Sequence, residues 1–392
     1  MTEQQVFNRD SVWFTQKKAA ITAKEILQQP RLWEQLADTL EARKEEISAF
    51  MEKVTAVPGL RVVFTGAGSS AFIGESLQQL LAREMGLRSE SVHTTEIVSA
   101  PQSNLFDVPT LLVSFARSGD SPESTGTLRY ASKYVHELYN LVVVCNKDSA
   151  LANYANDNKN TLVLNMPQES CDKGFAMTSS VSCMSLATWA AFGYKELERR
   201  TAFIRTLAES ARKDMPHLDA QAQSAAEFDY RRVVYLGTGA LRGLARESAV
   251  KSLELTHGIV NAVYDTPTGF RHGPKTVLNN ETCSVHFISP VAFTQRYDVD
   301  LANELANEKD KNRVMIVVSE DCKNLVPQAD TVVTYAKAGE EKDSEMNAYI
   351  KGLLFAQLLS LEKSLERGIT TDNPCPDGAV NRVVKGVTIY EP

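Results

Sequence analysis

Metal-binding and disulfide patterns are absent from this chain. Its 392 residues include six cysteines and six histidines, and they form neither a CxxC pair nor an HExxH or His-x-His cluster. Six cysteines in a chain of this length are too few for a disulfide scaffold. We therefore expect reduced thiols in a cytoplasmic protein, with no metal and no other cofactor.

Runs of positive charge and long apolar runs are also missing. The net charge of −7 at pH 7 argues against binding to nucleic acid or to an anionic membrane. The first eight residues are polar, so we expect no secretion signal. The longest apolar stretch, residues 184–194, is too short to span a membrane. An anionic ligand would therefore be bound locally, by backbone N–H groups and hydroxyls.

One strand–turn–helix pattern occurs twice, 171 residues apart. Residues 61–68 (RVVFTGAG) recur as residues 232–239 (RVVYLGTG), and each copy is followed by a helical segment with a Glu-Ser pair. Such repetition indicates a duplicated domain. Three further apolar strands recur in the same order, at residues 111–115, 141–145 and 161–164 in the first copy and at 284–289, 314–319 and 331–334 in the second.

Strands that alternate with helical segments predict βαβ units and a parallel sheet. The strands are apolar without polar alternation, which favours a sheet covered on both faces. The predicted fold is therefore α/β, with two tandem domains that are each a three-layer αβα sandwich. The predicted segments are a helical N-terminal extension at 1–44, domains at 45–200 and 215–367, and a C-terminal tail at 368–392. Helices are predicted over residues 123–137, 184–227, 299–308 and 343–367.

Two hydroxyl-rich loops follow neighbouring strands of the first copy. The first contains Gly68, Ser69 and Ser70, and the second contains Ser118 and Ser121. Glycine allows the backbone to approach an anion, hydroxyls donate to its oxygens, and a helix N-terminus adds a favourable dipole. Parallel sheets bind ligands beyond the carboxyl ends of their strands, so the two loops together predict a phosphate site.

Other interpretations of these loops remain open. The dinucleotide fingerprint GxGxxG is absent, and the first loop alone would be an ordinary strand-to-helix turn. Ser121 precedes Pro122 and would serve equally well as a helix N-cap. The second copy lacks both hydroxyl-rich loops, so we expect only the first copy to hold a phosphate.

Three charged residues share one face of the helix that follows the second glycine turn. Glu247, Lys251 and Glu254 stand at positions i, i+4 and i+7. One interpretation is a solvated, salt-bridged surface. The other is a catalytic carboxylate whose pKa is tuned by partial burial and by the neighbouring ammonium.

Taken together, these motifs resemble the sugar isomerase (SIS) family, in particular the isomerase half of glucosamine-6-phosphate synthase. The chain is most similar to AgaS-type galactosamine-6-phosphate deaminase/isomerases, over its whole length. The resemblance implies two tandem SIS domains, each with a five-stranded parallel sheet. The motifs that carry it are Gly68-Ser-Ser, Ser118-Gly-Asp-Ser121, Glu247-xxx-Lys251-xx-Glu254, Arg271-His-Gly-Pro274 and Lys385-Gly-Val-Thr.

The resemblance implies a role for each polar residue. Glu254 would be the base, with Lys251 and Glu247 as its polar partners. His272 would open the sugar ring, because imidazole titrates near neutral pH, and would be offered across the interface of a homodimer. Lys385 would contact the C1–C2 region of the sugar.

Two departures from the synthase bear on the reaction. Arg117 stands in place of a synthase glutamine, so it would either shift the phosphate or pair with it. No glutamine-hydrolysing segment is present, so we expect release of ammonia from galactosamine 6-phosphate to give tagatose 6-phosphate. Two alternatives are an isomerase of a non-amino hexose phosphate and a non-catalytic SIS sensor of a sugar phosphate.

Overall fold

The computed structural model describes residues 5–6, 9–156, 158–308, 311–336, 345–382, 384 and 386–391. The strands are β1 (Gln5–Val6), β2 (Arg9–Asp10), β3 (Arg61–Thr65), β4 (Ser89–Ser91), β5 (Thr110–Ala116), β6 (Leu138–Val144), β7 (Thr161–Asn165), β8 (Arg232–Leu236), β9 (Asn261–Asp265), β10 (Thr282–Phe287), β11 (Arg313–Ser319) and β12 (Thr331–Ala336). The α-helices are α1 (Ser11–Gln16), α2 (Ala20–Leu27), α3 (Gln29–Ala42), α4 (Lys44–Thr55), α5 (Ser69–Met85), α6 (Thr94–Ser99), α7 (Pro101–Asn104), α8 (Pro122–Tyr134), α9 (Ala150–Asn156), α10 (Ser179–Phe192), α11 (Leu197–Ala226), α12 (Ala240–Leu255), α13 (Pro267–Phe270), α14 (Ala292–Asn307) and α15 (Glu345–Glu366). Short 3₁₀ helices lie at Gln168–Ser170, Tyr194–Glu196, Pro274–Val277 and Glu320–Cys322.

The chain divides into two compact units, each assembled from several segments. The first unit, which contains β3 to β7, comprises Gln28–Lys173, Met177–Glu209 and Gly378–Pro392. The second unit, which contains β8 to β12, comprises Met1–Leu27, Gly174–Ala176 and Ser210–Asp377. The last residues of the chain are thus grouped with the first sheet, although they follow the second sheet in sequence.

Each unit contains one five-stranded parallel sheet, as the sequence and the resemblance predict. The strand order is β4-β3-β5-β6-β7 in the first unit and β9-β8-β10-β11-β12 in the second. In both sheets the first strand is flanked by the second and the third. The direction of winding reverses there, and doubly wound sheets bind ligands beside such a reversal.

The sequence pattern identified four of the five strands in each sheet. The strands it missed are the edge strands β4 and β9. β4 is three residues long and has the sequence Ser-Glu-Ser, and β9 begins at the exposed Asn261. The other two edge strands, β7 and β12, contain apolar runs (TLVLN and TVVTYA) and were identified. β4 and β9 lack such a run, which an edge strand does not require because it is paired on one side only.

Alternate residues of the first sheet face two helical layers. On one face, Val63 belongs to a buried cluster with Leu128 of α8 and Ile97 of α6. On the other, the ring of Phe64 meets that of Phe192 in α10 at a centroid distance of 5.6 Å. Because successive side chains of a strand point to opposite faces, the apolar strands bury both sides of the sheet.

The second sheet is also covered on both faces. On one, the Tyr235 hydroxyl lies 2.8 Å from that of Ser252 in α12, and α12 packs against α15. On the other, the neighbouring residue Val234 belongs to a buried cluster with Phe270 of α13 and Leu301 of α14. The helices α12 and α13 therefore lie on opposite faces of one sheet.

The helix bounds differ from the sequence pattern in three places. The predicted helix 299–308 begins too late, because α14 already starts at Ala292, and the predicted helix 184–227 is two helices, α10 and α11, with a 3₁₀ helix between them. The predicted helix 123–137 is too long, because α8 ends at Tyr134 and Val135 is extended, with φ −121° and ψ 110°. β6 begins three residues later, at Leu138. Within the described ranges, no helix combines the length and the apolar content that crossing a lipid bilayer requires.

Candidate active site

The structure places the two hydroxyl-rich loops beside each other in the first unit. β3 and β5 are neighbouring parallel strands, and Thr65 is in register with Ser114. The loop with Gly68, Ser69 and Ser70 follows β3, and the loop with Ser118 and Ser121 follows β5. The fold therefore brings six predicted site residues to the carboxyl ends of β3 and β5: Gly68, Ser69, Ser70, Arg117, Ser118 and Ser121. Both loops thus lie at the reversal of winding, as the phosphate hypothesis requires.

Glycine is needed twice in the first loop. Gly68 has φ 56°, a left-handed value that side chains rarely adopt. A Cβ on Gly66 would lie 2.7 Å from Ser70 Cβ, so only glycine allows the turn to close this tightly. The turn ends in the buried Ser69 and Ser70, which open α5. Backbone N–H groups at this helix start are suited to an anion.

The second loop has the backbone of a helix start without a side-chain cap. Ser121 is the N-cap residue of α8, but its hydroxyl accepts no hydrogen bond from a backbone N–H group of that helix. It lies 2.8 Å from the Ser124 hydroxyl instead. The Asp120 carboxylate accepts a hydrogen bond from Ala150 N at 2.9 Å and so fastens the loop to α9. The N-cap interpretation therefore holds for the backbone of Ser121 and not for its hydroxyl.

The two glycine turns have the same backbone and different surroundings. Gly239 has φ 62° and ψ −128°, against 56° and −131° for Gly68. Among the described residues, a Cβ on Gly68 would meet nothing within 4 Å beyond its own helix and chain neighbours. A Cβ on Gly239 would lie 3.6 Å from a Glu345 carboxylate oxygen. A carboxylate at this turn would repel a phosphate, which supports the expectation of one phosphate site.

Arg117 is buried, and its guanidinium contacts the C-terminal segment. The Nη2 group donates a hydrogen bond of 2.7 Å to the carbonyl oxygen of Arg382. The side chain is 8% exposed. Neither of the two expectations for Arg117, a shifted phosphate or a direct pairing with it, included this contact.

Most of the charged face of α12 is buried, which bears on its interpretation as a solvated surface. Lys251 Nζ lies 3.5 Å from Glu247 Oε1 and forms a shorter ion pair with Glu254. The Lys251 and Glu247 side chains are 0% and 1% exposed, whereas that of Glu254 is 29% exposed. The solvated-surface interpretation is therefore wrong. Glu254 is the member of this trio that a ligand can reach.

Burial makes these charges costly, so their arrangement needs a compensating gain. An isolated buried charge destabilises a fold by several kcal/mol, and pairing only offsets that cost. Here the Lys251 ammonium pairs with both carboxylates and offsets part of their charge. One Glu254 oxygen is tied to Lys251 while the side chain stays 29% exposed, which suits a proton acceptor.

His272 is exposed in a loop that is anchored on both sides. The Arg271 guanidinium donates to Glu304 of α14 at 2.7 Å, and the Lys275 ammonium donates to the same carboxylate at 2.5 Å. The His272 backbone N–H closes a turn on the Gly269 carbonyl oxygen at 2.9 Å. The loop is thus fixed to α14 while the imidazole faces outward.

The structure separates His272 from Glu254 within one chain. Glu254 belongs to α12, whose Ser252 meets Tyr235 on one face of the second sheet. His272 follows Phe270, which packs with α14 on the opposite face. The segments that carry these two residues thus pack on opposite faces of the second sheet. Lys385 lies outside the described residues.

One polar pair beside the first loop was missed by sequence reasoning. His93 Nε2 lies 2.9 Å from Glu75 Oε1, and both side chains are about one-fifth exposed. The next residue, Thr94, donates its N–H to the Gly66 carbonyl oxygen at 2.8 Å. Glu75 was noticed only as part of the repeated Glu-Ser pair, and His93 follows the edge strand β4, which had no sequence signal.

Comparison with known proteins gives one consistent result. Residues 58–193 match the family model of the SIS domain. A D-galactosamine-6-phosphate deaminase AgaS of Escherichia coli is 38% identical, covering 94% of this chain and 95% of its own. A Streptomyces coelicolor protein that provisionally carries the same name is 41% identical, covering 95% and 96%. A Clostridium novyi crystal structure, provisionally described as a tagatose-6-phosphate ketose/aldose isomerase, superposes with a TM-score of 0.94 at 38% identity and 99% coverage of both chains.

Proposed function

The chain belongs to the AgaS family of SIS-domain proteins, and we propose that it is a galactosamine-6-phosphate deaminase/isomerase. It converts D-galactosamine 6-phosphate and water into D-tagatose 6-phosphate and ammonia, in the breakdown of amino sugars. The single observation that carries this proposal is the buried Glu247–Lys251–Glu254 trio with only Glu254 accessible. Both units are SIS domains in this proposal.

The substrate phosphate binds between the two loops of the first unit. Its oxygens accept hydrogen bonds from the backbone N–H groups at the start of α5 and from the hydroxyls of Ser69, Ser70, Ser118 and Ser121. The second unit contributes no phosphate site, because Glu345 lies at the corresponding glycine turn. One substrate therefore binds per chain.

The reaction has three stages: ring opening, transfer of a proton from C2 to C1, and hydrolysis by one water molecule. His272 moves a proton between O5 and O1 and so opens the ring. Glu254 removes the proton from C2 of the open-chain aldehyde, which gives an enolamine, and returns a proton to C1. The product of that step is a ketimine at C2. Water hydrolyses the ketimine to tagatose 6-phosphate and ammonia. Lys385 assists at C1–C2 in this proposal.

A second copy of the chain completes the site. Glu254 and His272 lie on opposite faces of one sheet, so one chain does not present both to the same sugar. A symmetric dimer solves this problem, because a closed two-fold interface forms two equivalent shared sites. Each site combines Glu254 of one subunit with the partner subunit's His272.

An alternative function uses the same residues. A Clostridium novyi relative is provisionally described as a tagatose-6-phosphate ketose/aldose isomerase, and C2-to-C1 proton transfer on a non-amino hexose phosphate would need the same carboxylate. The two functions differ in one product, because only the deaminase releases ammonia.

Product analysis separates these functions. Purified protein is incubated with galactosamine 6-phosphate, glucosamine 6-phosphate or galactose 6-phosphate, and both ammonia and ketose are measured. We expect ammonia and tagatose 6-phosphate from the galacto amino sugar. Glu254→Gln should lower the rate about 10²- to 10⁴-fold, and the exposed Glu52→Gln on α4 is the matched control. If a ketose forms from galactose 6-phosphate and neither amino sugar releases ammonia, the deaminase proposal is wrong and the isomerase function takes its place.

Subunit complementation tests the shared site. Glu254→Gln and His272→Asn chains with different tags are co-expressed, and the heterodimer is purified through both tags. One of its two sites carries both native residues, so we expect about half of the native activity, while each parent homodimer is nearly inactive. A heterodimer as inactive as its parents would show that each site lies within one chain.

A further inference from the structure

The Arg117 guanidinium connects the phosphate loop to a distant part of the chain. Arg117 directly precedes Ser118, and it is 8% exposed. Its Nη2 donates to the carbonyl oxygen of Arg382, 265 residues later, at 2.7 Å. A buried hydrogen bond from a charged donor is among the stronger polar contacts in a protein. At least one donor of the Arg117 guanidinium therefore acts on the C-terminal segment.

Arg382 is itself held by a rigid neighbour. Its Nε donates a hydrogen bond of 3.0 Å to the Asp172 carbonyl oxygen. The buried Asp172 carboxylate in turn accepts hydrogen bonds at the start of α10. The donors are the backbone N–H groups of Thr178, Ser179 and Ser180, at 2.8, 3.0 and 3.0 Å. The C-terminal segment is thus attached near Arg382 to two fixed elements of the first unit.

A second anchor lies near the end of the chain. Tyr130 of α8 donates its hydroxyl to the Tyr390 carbonyl oxygen. Ile389 packs against the buried cluster beneath α8, and its Cγ2 would lie 3.0 Å from a Cβ on Gly126. α8 begins directly after the phosphate loop. The two anchors, near Arg382 and at 389–390, stand on either side of Lys385 in sequence.

We propose that Arg117 is a positioning residue for the C-terminal segment and not a ligand of the substrate phosphate. The phosphate is bound by the neutral hydroxyls and N–H groups of the two loops. Arg117 holds the C-terminal segment to the first unit at Arg382, and the segment anchored there supports the reaction of the proposed deaminase. The effect on activity depends on the proposed function, whereas the effect on the segment itself does not.

The test measures the segment and the phosphate separately. Hydrogen–deuterium exchange of a C-terminal peptide spanning 384–391 is followed in the native full-length protein, in Arg117→Ala and in Arg117→Lys. We expect exchange to be about 10- to 100-fold faster in Arg117→Ala, because a charged hydrogen bond is lost. Arg117→Lys keeps the charge but not the planar fork, and we expect an intermediate value. If the alanine variant does not fold, the comparison of the native protein with Arg117→Lys provides the test.

Kinetics of the same proteins distinguish positioning from phosphate binding. We expect kcat to fall in Arg117→Ala while the inhibition constant for inorganic phosphate stays within about twofold, since a lost phosphate contact would cost more. Arg129→Ala is the matched control, because Arg129 pairs with Glu391 of the same segment but is half exposed. Such a pair contributes little, so its loss should change neither exchange nor kcat appreciably.

Two results would overturn the proposal. One is unchanged exchange of 384–391 in both Arg117 variants. The other is a phosphate inhibition constant raised about tenfold or more with the segment unaffected, which would make Arg117 a phosphate ligand. A native protein that releases no ammonia would refute the proposed function, and the exchange result would still decide the role of Arg117.

Discussion

The Thr238 hydroxyl donates a hydrogen bond of 2.6 Å to the Asp298 carboxylate. The other oxygen of Asp298 accepts a hydrogen bond from the backbone N–H of Ser289 at 2.9 Å. Thr238 belongs to the glycine turn after β8, and Ser289 belongs to the loop after β10. One fully buried carboxylate thus joins the two loops that correspond to the hydroxyl-rich loops of the first unit, and it secures the turn from which α12 starts.

Asp298 should make stability depend on pH. Burial raises the pKa of Asp298 to about 6, although its hydrogen bonds with Thr238 and Ser289 oppose the shift. A folded-state pKa above the unfolded value of about 3.9 means that the folded protein binds the proton more tightly. This contribution is therefore complete below pH 4 and is lost as the pH rises through 6.

Urea unfolding at pH 5.0 and pH 7.5 measures this contribution. The measured quantity is the free energy of unfolding of the native protein minus that of Asp298→Asn. This difference should be about 1 kcal/mol larger at pH 5.0 than at pH 7.5. The asparagine variant cannot ionise, so it serves as its own control for the titration of other groups. An equal difference at both pH values would show that Asp298 does not titrate in this range.

Removal of the Lys251 ammonium should destabilise the fold strongly. Lys251→Met leaves the buried Glu247 carboxylate without its ammonium partner, which typically costs about 3–5 kcal/mol. The double variant Glu247→Leu/Lys251→Met removes both charges and should recover most of that loss. Denaturant unfolding of the two single variants and the double variant measures the coupling. Additive losses would mean that the two charges do not interact.

Gly119→Ala should destabilise the fold more than Gly86→Ala does, although both glycines have a similar positive φ. Gly119 has φ 71°, and a Cβ there would lie 2.6 Å from Ser149 Cβ. Gly86, at the end of α5, has φ 68° but meets no described atom within 4 Å beyond its immediate neighbours. We expect about 1–2 kcal/mol for Gly86→Ala from the left-handed backbone alone. Gly119→Ala should lose more and should also raise the KM, because it distorts the phosphate loop. Equal losses would contradict this account.

His93→Asn should be more damaging than the same change at His136. The His93–Glu75 pair is largely buried beside the first loop, whereas the His136–Asp107 pair spans a similar 2.8 Å with side chains 88% and 56% exposed. Loss of His93 removes one hydrogen bond from the partly buried Glu75 carboxylate, at a cost of about 1–3 kcal/mol. An exposed pair contributes at most about 1 kcal/mol. Thermal unfolding of the two variants gives the comparison, and equal shifts would count against a structural role for the buried pair.

The sequence alone determined the duplication, the parallel sheets and the two neighbouring hydroxyl-rich loops. These features depend on local patterns: an apolar run makes a buried strand, a glycine turn and hydroxyls open a helix, and spacings of four and seven place charges on one helix face. The same local patterns predicted a helix at 123–137 that is too long, because they do not show that Val135 already has an extended backbone.

Only the tertiary structure decided how these parts meet. Periodicity placed Glu247, Lys251 and Glu254 on one face, but packing against other elements buried that face. The opposite positions of Glu254 and His272 follow from which side of the sheet each connection crosses. The contact of Arg117 with Arg382 joins residues 265 positions apart, and no short-range pattern encodes such a pairing. Burial and long-range contact arise from the packing of the whole chain. Only the tertiary structure could therefore show which charged groups are buried and which distant residues are in contact.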